Sequence, residues 1–511
     1  MSEFSDLLSS YIDEKEIKVY SLLEYCNIDR STMYKIINGK RNPTSMEVFQ
    51  KIAEFLHLTP VEYRKFKEAY LISKLGKDLY YKRKYTEKYL MNFPRNFSGE
   101  KYLMNFPRNF SGEPVLFLDD LKKMKDENDY KTDTDIQTPV NTSDCTVVST
   151  HLELNHLLHY MISSETQKPS GKIALLLQPD YGFLLNMLSS LKPAGHLKIE
   201  HTFCMSKTNQ MTENHEIYNL MYLNKILPLY FSSMDYHPYY FYEDIFAHYY
   251  SMNGLSCMIL SSEYVITCNS DYTRGIFYRD PAVVSMLWSL YDSYQDKCQP
   301  LFLATEYLSM DKNDFNSPVY TETPNYVLQP EACMVPFIDR QLLSQAIIPE
   351  FPDRDNAIKK MTALLQVNQS KMENGLANVY FTKRGLADFA EKGRIKEIPD
   401  NFYRPLTVSE RIRLLCRILP CCKNGNYRLL KKPLNQLSDN LHLCVNSTFG
   451  YMLFNNIHNR TTCLIINESS ILTTFLDYLS SLDDSGLYSG EETAEFVQTL
   501  IDELKNQKKE R

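Results

Sequence analysis

No stretch of this chain reaches the roughly 18 uncharged apolar residues that a helix needs to cross a bilayer, so no membrane span is expected. The opening MSEFSDLL lacks the basic start and apolar core of a secretory signal, so a cytoplasmic protein is expected. There is no C-x-x-C among the 12 cysteines, and only Cys421 and Cys422, with Cys416 just upstream, stand close together. Scattered spacing of that kind suits small buried hydrophobes in a reducing cytosol rather than a disulfide framework or a metal site. The sequence also lacks G-x-G-x-x-G, a P-loop, H-E-x-x-H and G-x-S-x-G. Without them there is no signature of a nucleotide cradle, a zinc protease or a serine hydrolase, and neither a cofactor nor an enzyme is expected.

What is present is an ordinary soluble composition: 43% hydrophobic and 23% charged residues over 511 positions. At about 150 residues per domain this length suggests some three domains. A net charge of −7 excludes a protein that coats nucleic acid along its whole surface. The charge is uneven, however. Residues 1–88 hold 16 Lys and Arg against 13 Asp and Glu, a local net of +3 that leaves −10 for the remainder. The asymmetry has the sign of a nucleic-acid-reading head on an acidic body.

Residues 1–75 carry helical signals throughout. Phe4, Leu7, Leu8, Tyr11 and Ile12 recur at helical spacing. A second helix is predicted over about Val19–Cys26, ended by Asn27, a residue that tolerates the left-handed conformation. Asp29 or Ser31 can cap a third, which runs to about Asn38 and stops at Gly39. Pro43 and Thr44-Ser45 open a fourth, with Met46, Phe49, Ile52, Ala53 and Leu56 as its apolar stripe. Thr59-Pro60 opens a fifth.

Beyond residue 75 the pattern changes. KYLMNFPRNFSGE stands at Lys88–Glu100 and again, letter for letter, at Lys101–Glu113. Such identity marks a local duplication or an assembly artefact, and residues 76–150 are expected to form a linker. From 151 onwards strand-like and helix-like runs alternate: Ile173–Gln178, Cys257–Ser261 and Tyr264–Cys268 as strands, Pro281–Tyr294 as a helix with Pro in its first turn. A weaker, older repeat is visible within this region. YTRGIFYRDPAVVSMLWSLYDS (Tyr272–Ser293) aligns with HNRTTCLIINESSILTTFLDYLSS (His458–Ser481), and LNKILPLY (Leu223–Tyr230) with CRILPCC (Cys416–Cys422). Two related α/β (or α+β) subdomains are therefore expected, 151–330 and 331–511, with Arg274 and Arg460 in equivalent positions. Those two arginines are expected to pair with local carboxylates rather than to bind an anion.

The order turn, short helix, Asn-Gly, basic loop, Pro and fourth helix in DRSTMYKIINGKRNP resembles the lambda-repressor-like, or Cro/XRE-type, helix-turn-helix family. The likeness covers residues 5–70 only. Two departures are Leu23, where the family often has Ala, and Asn27, where it often has Gly; Leu23 is larger and needs a compensating gap. The resemblance implies an all-α DNA-binding head whose third helix enters the major groove. Arg30, Ser31, Thr32 and Lys35 are then the candidates for base edges, Tyr34 for sugar-phosphate, and Asn38, Lys40, Arg41 and Asn42 for phosphates. Met33, Ile36 and Ile37 are read as core. A helix-turn-helix used only for protein contacts is the alternative.

Other features are weaker. HLK at His196–Lys198 is similar to the start of the H-x-K…D motif of phospholipase-D-like enzymes, but Phe203 stands where the Asp belongs, so that resemblance implies ligand binding without cleavage. His151, His156 and His159 with Glu153 read as a polar helix face rather than a metal site. The tyrosine-rich YHPYYFYEDIFAHYY (Tyr236–Tyr250) suits a ligand pocket, a subunit interface or a half-buried helix and loop. Together these features lead to the expectation of a cytoplasmic, sequence-specific transcription regulator on double-stranded DNA, a homodimer through its body, with a small molecule or peptide as effector. The rival expectations are a DNA-autoregulated interaction protein of antitoxin or defence type, and a DNA-tethered hydrolase.

Overall fold

The computed structural model describes residues 2–93, 144–208, 210–230, 232, 234–243, 254–306, 323–351, 353–398, 400, 402–455 and 461–509. The chain divides into two compact units: Met1–Tyr85 with Glu213–Glu216, and Thr86–Thr212 with Ile217–Arg511.

The first unit, the head, is helical, and local chemistry starts and stops each helix. Helix α1 (Glu3–Glu14) begins on a capping box between Ser2 and Ser5. Helix α2 (Val19–Cys26) ends on Asn27 in the left-handed region, φ 52°. Helix α3 spans Arg30–Ile37 and α4 Met46–Phe55, the latter capped by Ser45. Helix α5 (Pro60–Leu75) opens with Pro at its first turn and a Thr59/Glu62 capping box. Phe4, Phe49, Phe66 and Tyr70 are fully buried at its centre. Their rings stack, with centroids 4.8 Å apart for Phe4–Phe66 and 4.6 Å for Phe49–Tyr70. Leu23 lies inside this core, so the larger side chain is accommodated. One expectation changes: helix α6 (Lys77–Met91) occupies the start of the predicted linker, and the head reaches Tyr85 rather than residue 75. The second copy of the duplication and most of the first fall outside the described residues.

The second unit, the body, repeats one plan twice. Its first half contains β1 (Cys145–Val148), α7 (His151–Thr166), β2 (Ser170–Leu176), α8 (Gly182–Ser190), β3 (His196–Met205), α9 (Tyr218–Tyr230), β4 (Asp235–Tyr242), β5 (Cys257–Leu260), β6 (Val265–Cys268), β7 (Gly275–Tyr278), α10 (Pro281–Gln295) and β8 (Gln299–Pro300). The second half contains β9 (Phe302–Glu306), β10 (Asn325–Leu328), α11 (Arg340–Ala346), α12 (Arg354–Glu373), β11 (Ala377–Phe381), α13 (Lys383–Lys392), α14 (Val408–Lys423), β12 (Tyr427–Leu429), β13 (His442–Val445), β14 (Gly450–Asn455), β15 (Thr461–Ile466), α15 (Ser469–Ser480) and α16 (Gly490–Lys509).

The sheets run β1-β7-β6-β5-β2-β3-β4-β8 and β12-β11-β10-β13-β14-β15-β9. In each, three parallel strands joined through helices (β2, β3, β4; β10, β11, β12) meet an antiparallel meander (β5, β6, β7; β13, β14, β15). An edge strand, β1 or β9, pairs antiparallel with the last meander strand. The predicted repeat fits this plan. Pro228 and Pro420 lie inside α9 and α14, just before the third parallel strand of each half. Asp280 and Glu468 cap α10 and α15, each accepting from two backbone N–H groups. The halves also share a motif that periodicity does not reveal: Leu177-Gln178-Pro179-Asp180 directly after β2, and Leu328-Gln329-Pro330-Glu331 starting on the last residue of β10.

Four expectations are corrected here. The changeover between the sheets falls between Pro300 and Phe302, not near 330, because β9 pairs far along the chain with β15. The body's first strand begins at Cys145, before residue 151. The described part of the tyrosine-rich segment is strand β4, with Tyr236 and Tyr240 buried, not a helix and loop. Arg274 is exposed and makes no ion pair among the described residues, while Arg460 lies outside them. No helix among the described residues is long and apolar enough to cross a membrane.

Candidate nucleic-acid interface

The site is built on α3. Asp29 caps it, its carboxylate accepting from the Thr32 backbone N–H at 2.9 Å, and hydrogen bonding from the Thr32 side chain first and its backbone N–H second holds the exposed Asp29 carboxyl below its ordinary pKa. Met33 and Ile36 are buried and Ile37 is half-buried, which fixes one face of the helix in the core. The 3.6-residue period then turns the other face outward: Arg30, Ser31, Tyr34 and Lys35 are exposed, and Thr32 is half-buried. The Arg30 guanidinium lies 5.6 Å from the centre of the Tyr34 ring. Arg30, Lys35, Lys40 and Arg41 make no ion pair among the described residues.

A Schellman turn closes the helix. Asn38 is the C-cap, the Gly39 N–H donates to the Ile36 carbonyl at 3.0 Å, and the Lys40 N–H donates to the Lys35 carbonyl at 2.8 Å. Gly39 has φ +68°, and a Cβ there would lie 2.7 Å from Ser5 Oγ. Glycine is thus required twice, for the turn and for the close approach of α1. Asn38, Lys40 and Arg41 follow on the exposed surface.

Asn42 differs from its neighbours. Its Nδ2 donates to the Ser73 carbonyl at 3.0 Å, and its Oδ1 accepts from Ser73 Oγ at 2.7 Å. The side chain ties the loop to α5, and it leaves the set of phosphate candidates as a positioning residue. Its partner is 31 positions away, a separation that no local pattern reports. The remaining residues bring together, on one short helix and the loop after it, an Arg, two small hydroxyl side chains, a tyrosine and three further cations. That set can address base edges through Arg and hydroxyl groups and phosphates through cations.

Other predicted residues lie in the body. His196 is exposed, 3.4 Å from Asp235, and Lys198 pairs with Glu200 at 2.8 Å. Phe203 is fully buried in β3. His151 Nδ1 donates to the Tyr272 carbonyl at 2.9 Å, and Glu153 accepts from the Ser149 N–H at 2.8 Å. Among the described residues no group of three His, Cys, Asp or Glu side chains is arranged to hold a metal ion.

Residues 8–63 match the family described as Cro/C1-type HTH DNA-binding domain. The head therefore carries a DNA-binding domain of that type, and the multidomain layout of helical head and larger mixed body follows. No curated protein matches the chain. Solved structures with some likeness include TrmBL2, an archaeal chromatin protein described as showing a novel mode of DNA binding (13% identity, 39% of this chain and 69% of that one, TM-score 0.19). Phosphatidylserine synthase of Haemophilus influenzae Rd KW20 (10% identity, 73% and 95%, TM-score 0.22) and polyphosphate kinase of Porphyromonas gingivalis (10% identity, 72% and 53%, TM-score 0.19) are others. At these TM-scores the three likenesses carry no argument.

Proposed function

We propose that this protein is a sequence-specific transcription regulator. It acts as a homodimer in which two α3 helices enter successive major-groove half-sites of double-stranded DNA. The observation that carries this reading is the exposed front of α3, where Arg30 and Ser31 stand clear of a core anchored by Met33 and Ile36. Arg30 is the candidate for guanine O6 and N7, and Ser31 and Thr32 for neighbouring bases. Tyr34 lies against sugar-phosphate. Lys35 reaches base edges from the next turn, and Asn38, Lys40 and Arg41 set the register on phosphates.

A single head binds weakly, and pairing supplies both affinity and a two-fold match to a palindromic site. The body is the pairing scaffold and the place for an effector, working in the cytoplasm as a binding module rather than an enzyme. The Lys198–Glu200 ion pair and the buried Phe203 support the non-catalytic part of this reading. An effector acts only if it binds one head spacing better than another. The test is salt-dependent binding to a palindromic fragment upstream of the protein's own gene. Arg30→Ala is expected to weaken it about tenfold or more and to relax one base position. Unchanged specific binding would remove α3 as the reading helix.

A further inference from the structure

The shared Leu-Gln-Pro-acid corner is closed in one half of the body and open in the other. In the first half Gln178 is saturated: its Nε2 donates to the Cys204 carbonyl at 3.1 Å and to Tyr218 Oη at 2.7 Å, and its Oε1 accepts from the Cys204 N–H at 2.9 Å. In the second half the equivalent Gln329, 0% exposed, donates through Nε2 to Glu397 Oε1 at 2.8 Å, and its Oε1 has no donor among the described residues. Glu331, 2% exposed, accepts from the Lys396 N–H at 2.8 Å through Oε1, while its Oε2 has no donor among the described residues. Buried acceptors without donors are uncommon and unfavourable, and Gln178 at the corresponding corner of the first half avoids them.

Beside this corner is a cavity of about 40 Å³, room for roughly three waters or a ligand of a few heavy atoms. Its polar end is formed by Glu397, His442 and Cys333; its walls include Val327, Met372 and Tyr427. Among the described residues Glu397, 3% exposed, receives besides Gln329 only the Cys333 thiol, at 3.7 Å. His442 is 9% exposed, and Glu397 Oε1 lies 3.8 Å from its Nδ1, beyond hydrogen-bond reach. Neither ring nitrogen of His442 has a hydrogen-bond partner among the described residues. The charged groups nearby do not neutralise Glu397. Glu331 pushes its pKa up further, and the Lys396 ammonium is 3.8 Å from Asp439. Burial, with Glu331 second, holds the Glu397 carboxyl up at about 7, and burial lowers His442 to about 3.

A cavity with apolar walls, a carboxylate and an unpaired imidazole calls for a compact group with several N–H donors, a positive charge and a short apolar tail. We propose that the second half of the body binds a small primary ammonium ion, of methylammonium or ethylammonium size, between Glu397 and His442. The ammonium N–H groups donate to Glu397 and to the unprotonated ring nitrogen of His442, and the alkyl group meets the apolar wall. This site is independent of the DNA-binding reading and is measured without DNA.

The experiment titrates the full-length protein with methylammonium chloride by calorimetry and thermal melting, against tetramethylammonium chloride at equal ionic strength. Saturable binding and a rise in Tm are expected with methylammonium and not with tetramethylammonium, and Glu397→Gln should weaken the affinity at least tenfold. Absence of saturable binding, an equal effect of both ions, or unchanged affinity in Glu397→Gln would each overturn the site. Should Glu397→Gln fail to fold, the wild type decides. Ammonium binding keeps Glu397 ionised, so near pH 6.5 it should release protons, read from heats in buffers of different ionisation enthalpy; no release contradicts the proposal.

Discussion

The head and the body handle their charges differently. In the body, three arginines of the second half are bound internally: Arg404 grips Glu410 through two hydrogen bonds of 2.8 and 2.7 Å, and Arg413 and Arg417 share Asp339, whereas Arg274 stands exposed. In the head, Lys15–Glu62, Lys51–Glu47 and Lys84–Glu68 are similarly paired, yet the cations of α3 and its following loop are not. Exposed pairs add little stability, so their presence elsewhere is unremarkable. Their absence on α3 leaves guanidinium and ammonium groups available to a partner that brings its own negative charge.

If head and body are separate cooperative units, the largest effect should come from the head's aromatic core. Phe49→Ala removes a fully buried ring that stacks on Phe66 and Tyr70, a change of about 3–5 kcal/mol. Calorimetry should show the head's transition lowered or lost, with the body's left in place. A single transition shifted as a whole would merge the two units.

A smaller effect, confined to the body, should follow pH. His201 is 0% exposed in β3; its Nε2 donates to the Leu177 carbonyl at 3.0 Å and its Nδ1 accepts from Tyr236 Oη at 2.9 Å. Burial lowers its pKa to about 4. The unfolded chain therefore binds this proton first as pH falls below about 6.5, and folded stability drops between pH 6.5 and 4, by on the order of 2 kcal/mol at pH 5. The body's Tm should fall over that window, and less so in His201→Gln. An equal pH slope in both proteins would remove His201 as the cause.

The same contrast explains what could be read from the letters. In the head, caps and breakers are local: Asn27, Asp29, Gly39, Ser45 and Thr59-Pro60 bound their helices where expected, because each acts on backbone groups within a few residues. In the body, β5, β6 and α10 were legible from short apolar runs and a Pro in the first helical turn. Strand β9 was not, since its partner β15 lies far along the chain and its own five residues hold no turn signal. The candidate site divides the same way. Helical spacing exposes Arg30, Ser31, Tyr34 and Lys35, whereas the role of Asn42 depends on the distant Ser73. The smallest expected effect tests that assignment: Asn42→Ala should cost about 1 kcal/mol of head stability. The salt dependence of DNA binding should stay as it was, and a reduced slope would return Asn42 to the phosphate contacts.

The central claim is that the front of α3 reads bases while the cations behind it hold phosphates. It is tested most directly by measuring binding of wild type, Arg30→Ala and Lys40→Ala to a selected site and to random duplex over a range of salt. The account predicts that Arg30→Ala loses discrimination between the two by about 1–3 kcal/mol. Lys40→Ala should weaken both alike and lower the salt slope by about one. Two variants indistinguishable from wild type on both duplexes would contradict it.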